Sequence, residues 1–194
     1  PDHALLQIYT DQMSGPAEYI FQQRKVFLET LLPVFQQIYE AVAGGEERVN
    51  MLYQSDLLEH NFLEGTKANL QKDCILQRCC FGIHRDDFLL ELEQYPVKQF
   101  GSQGQVKSFL IALKLAQYLF IKNEKQVKPI LLLDDIFDKL DPIRVDKLLQ
   151  YMLDNDFGQV FLTDTHQERM QQIIHRLGGA HHAFRVNKGT LTQF

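Results

Sequence analysis

An apolar run that ends in two adjacent carboxylates most constrains how this chain can fold. Ile130 to Leu133 are four aliphatic residues, and Asp134 and Asp135 follow them directly. The pattern predicts a buried β-strand, and the helical patterns on both sides of it predict an α/β fold with a mainly parallel sheet. Ligands of such sheets bind beyond the carboxyl ends of the strands, where an acid can reach the Mg²⁺ of a nucleotide. Alone the pattern is weak, because apolar runs that end in Asp are common.

A second motif, Ser102-Gln103-Gly104-Gln105, lies upstream and opens a long amphipathic stretch. Ser102 and Gln105 have the spacing of a capping box, so one interpretation is an ordinary helix start. The other interpretation uses the same physics, because exposed N–H groups and the helix dipole attract an anion. Gly104 would let a phosphate approach the backbone closely.

The composition limits the possible classes of protein. The 194 residues are 45% hydrophobic, and their net charge of −5 provides no overall basic field for nucleic acid. The three cysteines, Cys74, Cys79 and Cys80, form no C-x-x-C motif, which favours a reducing cytosol. The sequence shows neither a signal peptide nor an apolar run of membrane length. We therefore expect a cytoplasmic protein with no membrane partner.

Periodicity divides the chain into a helical lobe over residues 1–80 and a second unit, 81–194, that carries both motifs. In the lobe, Ser14-Gly15-Pro16 is expected to break a first short helix, and Gly44-Gly45 to end the second. Strands are predicted at Val49–Tyr53, Pro129–Asp134 and Gln159–Thr163. Hairpins are predicted from Phe88–Leu92 with Val97–Phe100, and from His182–Val186 with Thr190–Gln193. Helices are predicted from Ser102 to Ile121 and from Asp141-Pro142 onward.

Read in order, these motifs resemble the head of an ABC-type ATPase. The SQGQ sequence is similar to its signature motif, the LLLDD sequence to Walker B, and the DKLD sequence at Asp138–Asp141 to its D-loop. Within that superfamily the chain resembles the RecF family of bacterial recombinational repair proteins, which are related to SMC proteins. The resemblance covers nearly the whole chain, as the later half of such a protein. It is carried by Lys98–Gln117, by Phe21–Glu40, and by GIHRDD at Gly82–Asp87, where the family has G-P-H-R-D-D.

The resemblance implies catalytic and metal-binding roles at the strand ends. Asp134 would bind Mg²⁺, directly or through water. Asp135 would polarise the attacking water where many ABC ATPases place a Glu, and its shorter side chain implies slow hydrolysis. His166 would be the switch histidine, with a helix-start residue as the alternative.

The resemblance also implies that the signature motif binds ATP across a dimer. Ser102 and Gly104 would contact the γ-phosphate bound to a second subunit, within a cofactor-binding set that includes Gln103 and Gln105. Asp141 would lie in the D-loop at the same interface. For the charged residues of GIHRDD, from His84 to Asp87, the motif defines no role, and salt bridging within the loop is the equal alternative.

At the level of the whole protein, the resemblance implies an ATP- and Mg-dependent homodimer that acts on DNA in the nucleoid. It would bind single- and double-stranded DNA at gapped substrates. With RecO and RecR as partners, it would support RecA loading in recombinational repair, replication restart and the SOS response. Rival interpretations are another SMC-like ABC ATPase, although no long heptad arms are seen, and a nucleotide-free interaction module that keeps the fold.

One part of a nucleotide site is missing from the sequence. No G-x-x-x-x-G-K-[ST] motif occurs, and Gly-Lys does not occur even as a dipeptide. The chain starts at Pro1, which predicts that it is a piece of a longer protein that supplies the phosphate loop. We expect the chain alone to be inactive as an ATPase.

Overall fold

The computed structural model describes residues 3–45, 47–177 and 181–193. Six α-helices lie in these ranges: α1 His3–Ala43, α2 Phe62–Leu76, α3 Val97–Phe100, α4 Gln103–Lys125, α5 Pro142–Asp154 and α6 Gln167–Leu177. The strands in the same ranges are β1 Val49–Gln54, β2 Asp87–Leu92, β3 Tyr95–Pro96, β4 Leu131–Asp134, β5 Val160–Thr163, β6 Phe184–Asn187 and β7 Thr190–Gln193. None of the described helices combines the length and apolarity needed to cross a bilayer.

The first helix is continuous over 41 residues, so the predicted break at Ser14-Gly15-Pro16 is wrong. The helix also runs through Pro33, because the following turns are fixed by burial of residues such as Phe35 and Ile38. Tertiary packing of this kind overrides the local cost of a proline. The predicted end is confirmed, because Gly44 has a φ of 106° and its N–H bonds to Glu40 O at 2.9 Å.

An antiparallel sheet has the order β1-β2-β3, with Val49 opposite Leu92. The predicted strand at Phe88–Leu92 is confirmed, but the predicted strand at Val97–Phe100 is wrong, because those residues form α3. Pro96 marks the change, because it is the last residue of β3, opposite Glu91, and also the N-cap of α3.

A second sheet pairs β4 with β5 in parallel, from Leu131 opposite Val160 to Asp134 opposite Thr163. This confirms the predicted parallel pairing, but the expectation of a fully buried strand is wrong. Leu131 and Leu133 are buried, whereas Leu132 is 70% exposed. One face of β4 is therefore packed, and the other is open. The closing hairpin of β6 and β7 forms as predicted, and all its residues are exposed.

The main hydrophobic core draws on both predicted units. Phe35 and Tyr39 of α1 pack against Phe109 of α4, with ring centroids 4.7 Å apart for Phe35 and Phe109. The same core contains Leu133 of β4 and Leu148 of α5. The division at residue 80 stays a prediction, although β1 before it and β2 after it share one sheet.

Two glycine substitutions in helices should have opposite effects. A Cβ on Gly65 of α2 would overlap the buried ring of Phe81, so Gly65→Ala should lower the free energy of unfolding by about 1–3 kcal/mol. The control is Gly15→Ala in α1, where nothing lies within 4 Å, and there alanine should add about 1 kcal/mol. Urea unfolding followed by circular dichroism measures both. Equal shifts would show that Phe81 does not pack on Gly65.

Candidate nucleotide-binding site

Two aligned strand ends fix the first group of predicted site residues. Because β4 and β5 are parallel, Asp134 and Thr163 lie side by side, and the Thr163 hydroxyl donates a hydrogen bond to Asp134 Oδ1. The Asp135 N–H donates to Thr163 O at 3.3 Å and to Thr163 Oγ1 at 3.2 Å. Thr163 thus holds both aspartates at the sheet edge. Both acidic residues are exposed, so a ligand can reach them.

The backbone turns sharply directly after β4. Asp135 has a φ of 47°, in the left-handed region that Asp and Asn tolerate better than most residues. Lys107 of α4 donates from Nζ to the Asp135 carbonyl at 3.0 Å. The turn therefore ties the strand end to the helix that carries the signature motif.

A buried ion pair follows β5. The Asp164 side chain is 0% exposed, and its oxygens lie 2.6 Å from Arg169 Nε and 2.9 Å from Arg169 Nη2. It also accepts the His166 N–H at 2.7 Å. Burial raises the pKa of Asp164, but the His166 N–H and Arg169 outweigh it and hold that pKa below its ordinary value. Arg169 also donates to Phe137 O at 3.1 Å, so this pair joins α6 to the turn after β4.

The predicted switch histidine sits beside this pair. His166 Nδ1 lies 2.8 Å from Arg169 Nη2, 3.1 Å from Thr165 Oγ1 and 3.3 Å from Asp164 Oδ1. Within the described residues, no hydrogen bond links His166 to Asp134 or Asp135. Its catalytic role stays a prediction.

The signature motif begins α4 as a complete capping box, as its spacing predicts. Gln105 N donates to Ser102 Oγ at 3.2 Å, and Ser102 N donates to Gln105 Oε1 at 2.8 Å. Gln103 is the first helical residue. A Cβ on Gly104 would lie 3.3 Å from Lys139 O, so the glycine lets this helix end approach the D-K-L-D turn closely. The phosphate contacts expected of these four residues stay predictions.

Arg144 connects the signature helix to the D-loop residue. Asp141 caps α5 by accepting Arg144 N at 2.9 Å, and its other oxygen lies 3.3 Å from Arg144 Nε. The guanidinium also donates to Ser108 Oγ of α4 at 3.0 Å and to Glu47 Oε1 at 2.9 Å. One side chain thus joins α4, α5 and the segment after α1.

Glu47 completes this network from the other side. It accepts Gln105 Nε2 at 3.1 Å and the Tyr39 hydroxyl at 2.5 Å. Burial raises the pKa of Glu47, but the bonds from Tyr39, Gln105 and Arg144 outweigh burial and lower it overall. Burial and the adjacent Glu47 carboxylate raise the pKa of Tyr39. Glu47 is therefore ionised and Tyr39 neutral at physiological pH.

Salt bridges hold the GIHRDD motif against other parts of the chain, from Asp86 to Arg24 and from Arg85 to Asp56. The Asp86 side chain is 2% exposed and lies 2.5 Å from Arg24 Nη1 and 2.5 Å from Tyr53 OH. Arg24 also donates to Ile83 O at 2.7 Å. Asp86 therefore fixes this turn against α1 and β1.

The donor set at the strand ends fits a nucleotide-bound magnesium ion. In the described ranges, no group of three His, Cys, Asp or Glu residues is placed to hold a metal by itself. Mg²⁺ usually binds through one or two carboxylates together with phosphate oxygens and water. Asp134, with one oxygen held by Thr163, suits that role.

Several residues of these clusters were not predicted from the sequence. An acid directly after a predicted strand, followed by an Arg five residues later, is a local signal that could have identified Asp164 and Arg169. No local signal identifies Glu47 with Arg144, because 97 positions separate them.

The chain has the fold of an SMC-like ATPase head. The structure is similar over 100% of its length to a solved recombination mediator protein RecF with ATP, with a TM-score of 0.76, 20% identity and 51% of that chain covered. It is also similar to an SMC head bound to the C-winged helix domain of ScpA, with a TM-score of 0.60 and 13% identity, over 97% of this chain and 48% of that one.

Sequence comparison narrows the class to one family. The chain is 47% identical over 173 residues to the DNA replication and repair protein RecF of Flavobacterium johnsoniae, covering 89% of this chain and 48% of that protein. It is 37% identical over 192 residues to RecF of Bacteroides thetaiotaomicron, covering 99% and 52%. No family model matches. The chain belongs to the RecF family, corresponds to the C-terminal half of its proteins, and spans about half the length of these relatives.

The Arg144 network should contribute measurably to stability. Arg144→Met leaves Glu47 and Ser108 without their cationic partner, so we expect the free energy of unfolding to fall by about 2–3 kcal/mol. Arg48→Met is the matched control, because Arg48 is exposed beside Glu47, and it should change stability by less than about 0.5 kcal/mol. Urea unfolding at neutral pH measures both.

The difference in the free energy of unfolding between the wild-type protein and Arg144→Met should depend on pH in a defined direction. Because the pKa of Glu47 is lowered in the fold, its contribution is complete above its ordinary value of 4.5 and is lost as the pH falls through the lower folded value. The gap between the wild-type protein and Arg144→Met should therefore narrow on acidification below 4.5. A gap that is independent of pH would contradict the proposed ionic character of the network.

Proposed function

We propose that this chain is the signature-bearing half of an ATP-dependent DNA repair protein of RecF type. The observation that carries the proposal is that one chain presents two groups suited to Mg-ATP, a pair of carboxylates for the metal ion and a helix N-terminus for a phosphate. Asp134 and Asp135 end a parallel strand, while Ser102 to Gln105 begin a helix. Among the described residues, no hydrogen bond joins the two groups. A nucleotide held between two copies of such a chain would use one group from each.

In this proposal the strand ends carry the magnesium ion and the chemistry. Asp134 would hold the Mg²⁺ of a bound nucleotide, which would stabilise the charge on the transferring phosphoryl group, and Asp135 would orient the attacking water. His166 stands next to the same edge and senses the γ-phosphate. The phosphate loop, with the Lys that neutralises the phosphates, comes from outside this sequence.

The signature helix completes the site from a second subunit. Its N-terminus offers backbone N–H groups and a positive dipole end to the γ-phosphate, with Ser102 and Gly104 in contact and Gln103 and Gln105 beside them. Asp141 lies at the dimer interface, where the Arg144 network holds it against α4. ATP thereby controls dimerisation, and slow hydrolysis ends it.

The biological step that we propose is repair at gapped DNA in the nucleoid. Two curated RecF relatives that are 47% and 37% identical are DNA replication and repair proteins. We infer that the longer protein loads onto single- and double-stranded DNA with RecO and RecR, and helps RecA filaments to form during replication restart and the SOS response.

Substitutions at the two strand-end acids should separate metal binding from catalysis in the full-length protein. Asp135→Asn should keep Mg-ATP binding and slow turnover about a hundredfold, because an amide is not a general base. Asn also tolerates the left-handed backbone at this position, so the turn survives. Asp134→Ala should instead weaken Mg-dependent ATP binding. Steady-state ATPase assays and calorimetry measure the two effects, and parental turnover in Asp135→Asn would remove Asp135 from the mechanism.

A substitution at Ser102 tests the proposed dimer itself. Ser102→Arg should abolish ATP-dependent dimerisation of the full-length protein, because the arginine would fill the space where Ser102 meets the γ-phosphate bound to the other subunit. ATP binding by each single subunit should stay nearly intact. Asn61→Arg is the matched control: Asn61 also caps a helix, by accepting Glu64 N at 2.9 Å. Loss of a cap alone costs about 1 kcal/mol of stability, without an effect on dimerisation. Light scattering after size exclusion, with and without ATP, measures the dimer. Normal ATP-dependent dimers from Ser102→Arg would show that the signature motif is only a helix start.

A further inference from the structure

An open cavity of about 630 Å³ lies between the end of α2 and the GIHRDD turn, apart from the nucleotide site. Four of its lining residues are basic and none is acidic; the lining consists of Lys72, Arg78, Cys79, Cys80, His84 and Arg85. The whole chain has a net charge of −5, so this cavity departs from the overall electrostatics.

Two of the four basic side chains are held by the cavity wall. Arg85 donates to Cys80 O, lies 3.6 Å from Asp56 Oδ2, and keeps 51% of its side chain exposed. His84 Nε2 lies 3.1 Å from Cys79 O. These contacts fix the positions of the two residues, and Asp56 partly offsets the charge of Arg85.

The other two basic side chains have no partner of their own. Lys72 and Arg78 are exposed, and neither side chain forms a hydrogen bond or an ion pair with any residue in the described ranges. Two nearby carboxylates bind other groups: Asp73 accepts Cys80 N at 2.8 Å, and Asp56 accepts Gly82 N at 3.0 Å and pairs with Arg85. The cavity therefore presents cationic donors that the fold itself does not use.

The chemistry of the lining indicates the kind of ligand. Clustered Arg and Lys side chains bind phosphate groups. The lining contains no Phe, Tyr or Trp, and its one imidazole, that of His84, is held against Cys79 O, so charge pairing with a backbone phosphate suits the cavity better than base stacking. We propose that this cavity binds a phosphate of a nucleic-acid backbone without reading its sequence. The choice of nucleic acid among polyanions rests on the proposed function.

The first test measures binding of the full-length protein, without ATP, to fluorescent single-stranded and duplex DNA by anisotropy. Lys72→Glu and Arg78→Glu should each weaken binding about tenfold and make the salt dependence shallower. Lys114→Glu, an exposed charge reversal on α4 outside the cavity, is the matched control and should have little effect. Equal losses in all three variants would overturn the proposal, because only overall charge would then matter.

The second test reads the cavity directly in the unmodified protein. Cys79 is exposed and lines the cavity, so its alkylation by iodoacetamide can be followed by peptide mass spectrometry. DNA should slow the reaction severalfold, whereas inorganic phosphate at the same phosphate concentration should not. Equal protection by both would make this a small-anion site, and no protection by either would remove the site. Either result overturns the proposal.

Both tests run without ATP, so they are independent of the nucleotide sandwich. Lys72→Glu should still dimerise with ATP as the parent does. If the parental protein fails to dimerise with ATP but shows the cavity effects, the proposed function fails and the cavity assignment stands. If the parental protein dimerises with ATP but shows no cavity effects, the cavity assignment fails and the proposed function stands.

Discussion

The hydrogen-bonded ion pair between Arg144 and Glu47 fixes the part of the structure on which the proposed ATP interface depends. The two side chains are only 16% and 20% exposed, and their nitrogen and oxygen atoms lie 2.9 Å apart. Removing either partner would leave the other one poorly solvated, which costs more than an exposed pair contributes. Because Arg144 also holds Ser108 and Asp141, the start of α5 cannot shift relative to α4 without breaking several bonds.

The strand ends depend on a different constraint, the register of two parallel strands. Pairing of Asp134 with Thr163 places a hydroxyl where it can donate to one aspartate and accept from the backbone of the next. A slip of one residue would turn the alternating side chains to the opposite face. The buried face of β4 prevents this, because Leu131 and Leu133 are packed in the core.

Local signals in the sequence predicted what short-range physics determines. The spacing of Ser102 and Gln105 predicted a capping box, and Asp141-Pro142 predicted the start of α5, since caps are satisfied within one turn. Burial of Leu132 was wrongly predicted, because an aliphatic run is buried on both faces only where layers cover both sides of the sheet.

Features that depend on distant packing were beyond the reach of sequence patterns. The break expected at Ser14-Gly15-Pro16 does not occur, since α1 as a whole is set by the packing of residues such as Phe35 and Tyr39. The partnership of Glu47 with Arg144 depends on how three elements meet. Neither the composition nor the periodicity of the segments around Glu47 and Arg144 indicates that the two residues meet.

The turn between β4 and α5 links the two halves of the proposed site. It is held at Asp135 by Lys107, at Phe137 by Arg169, and at its end by the cap of Asp141 on α5. Lys139 O also lies where a side chain on Gly104 would meet it. With both ends and the middle fixed, the turn gives Asp135 and Asp141 a set placement relative to the signature helix. In the proposed dimer, the interface would therefore form by the approach of two preorganised surfaces, and little binding energy would be spent on ordering this turn.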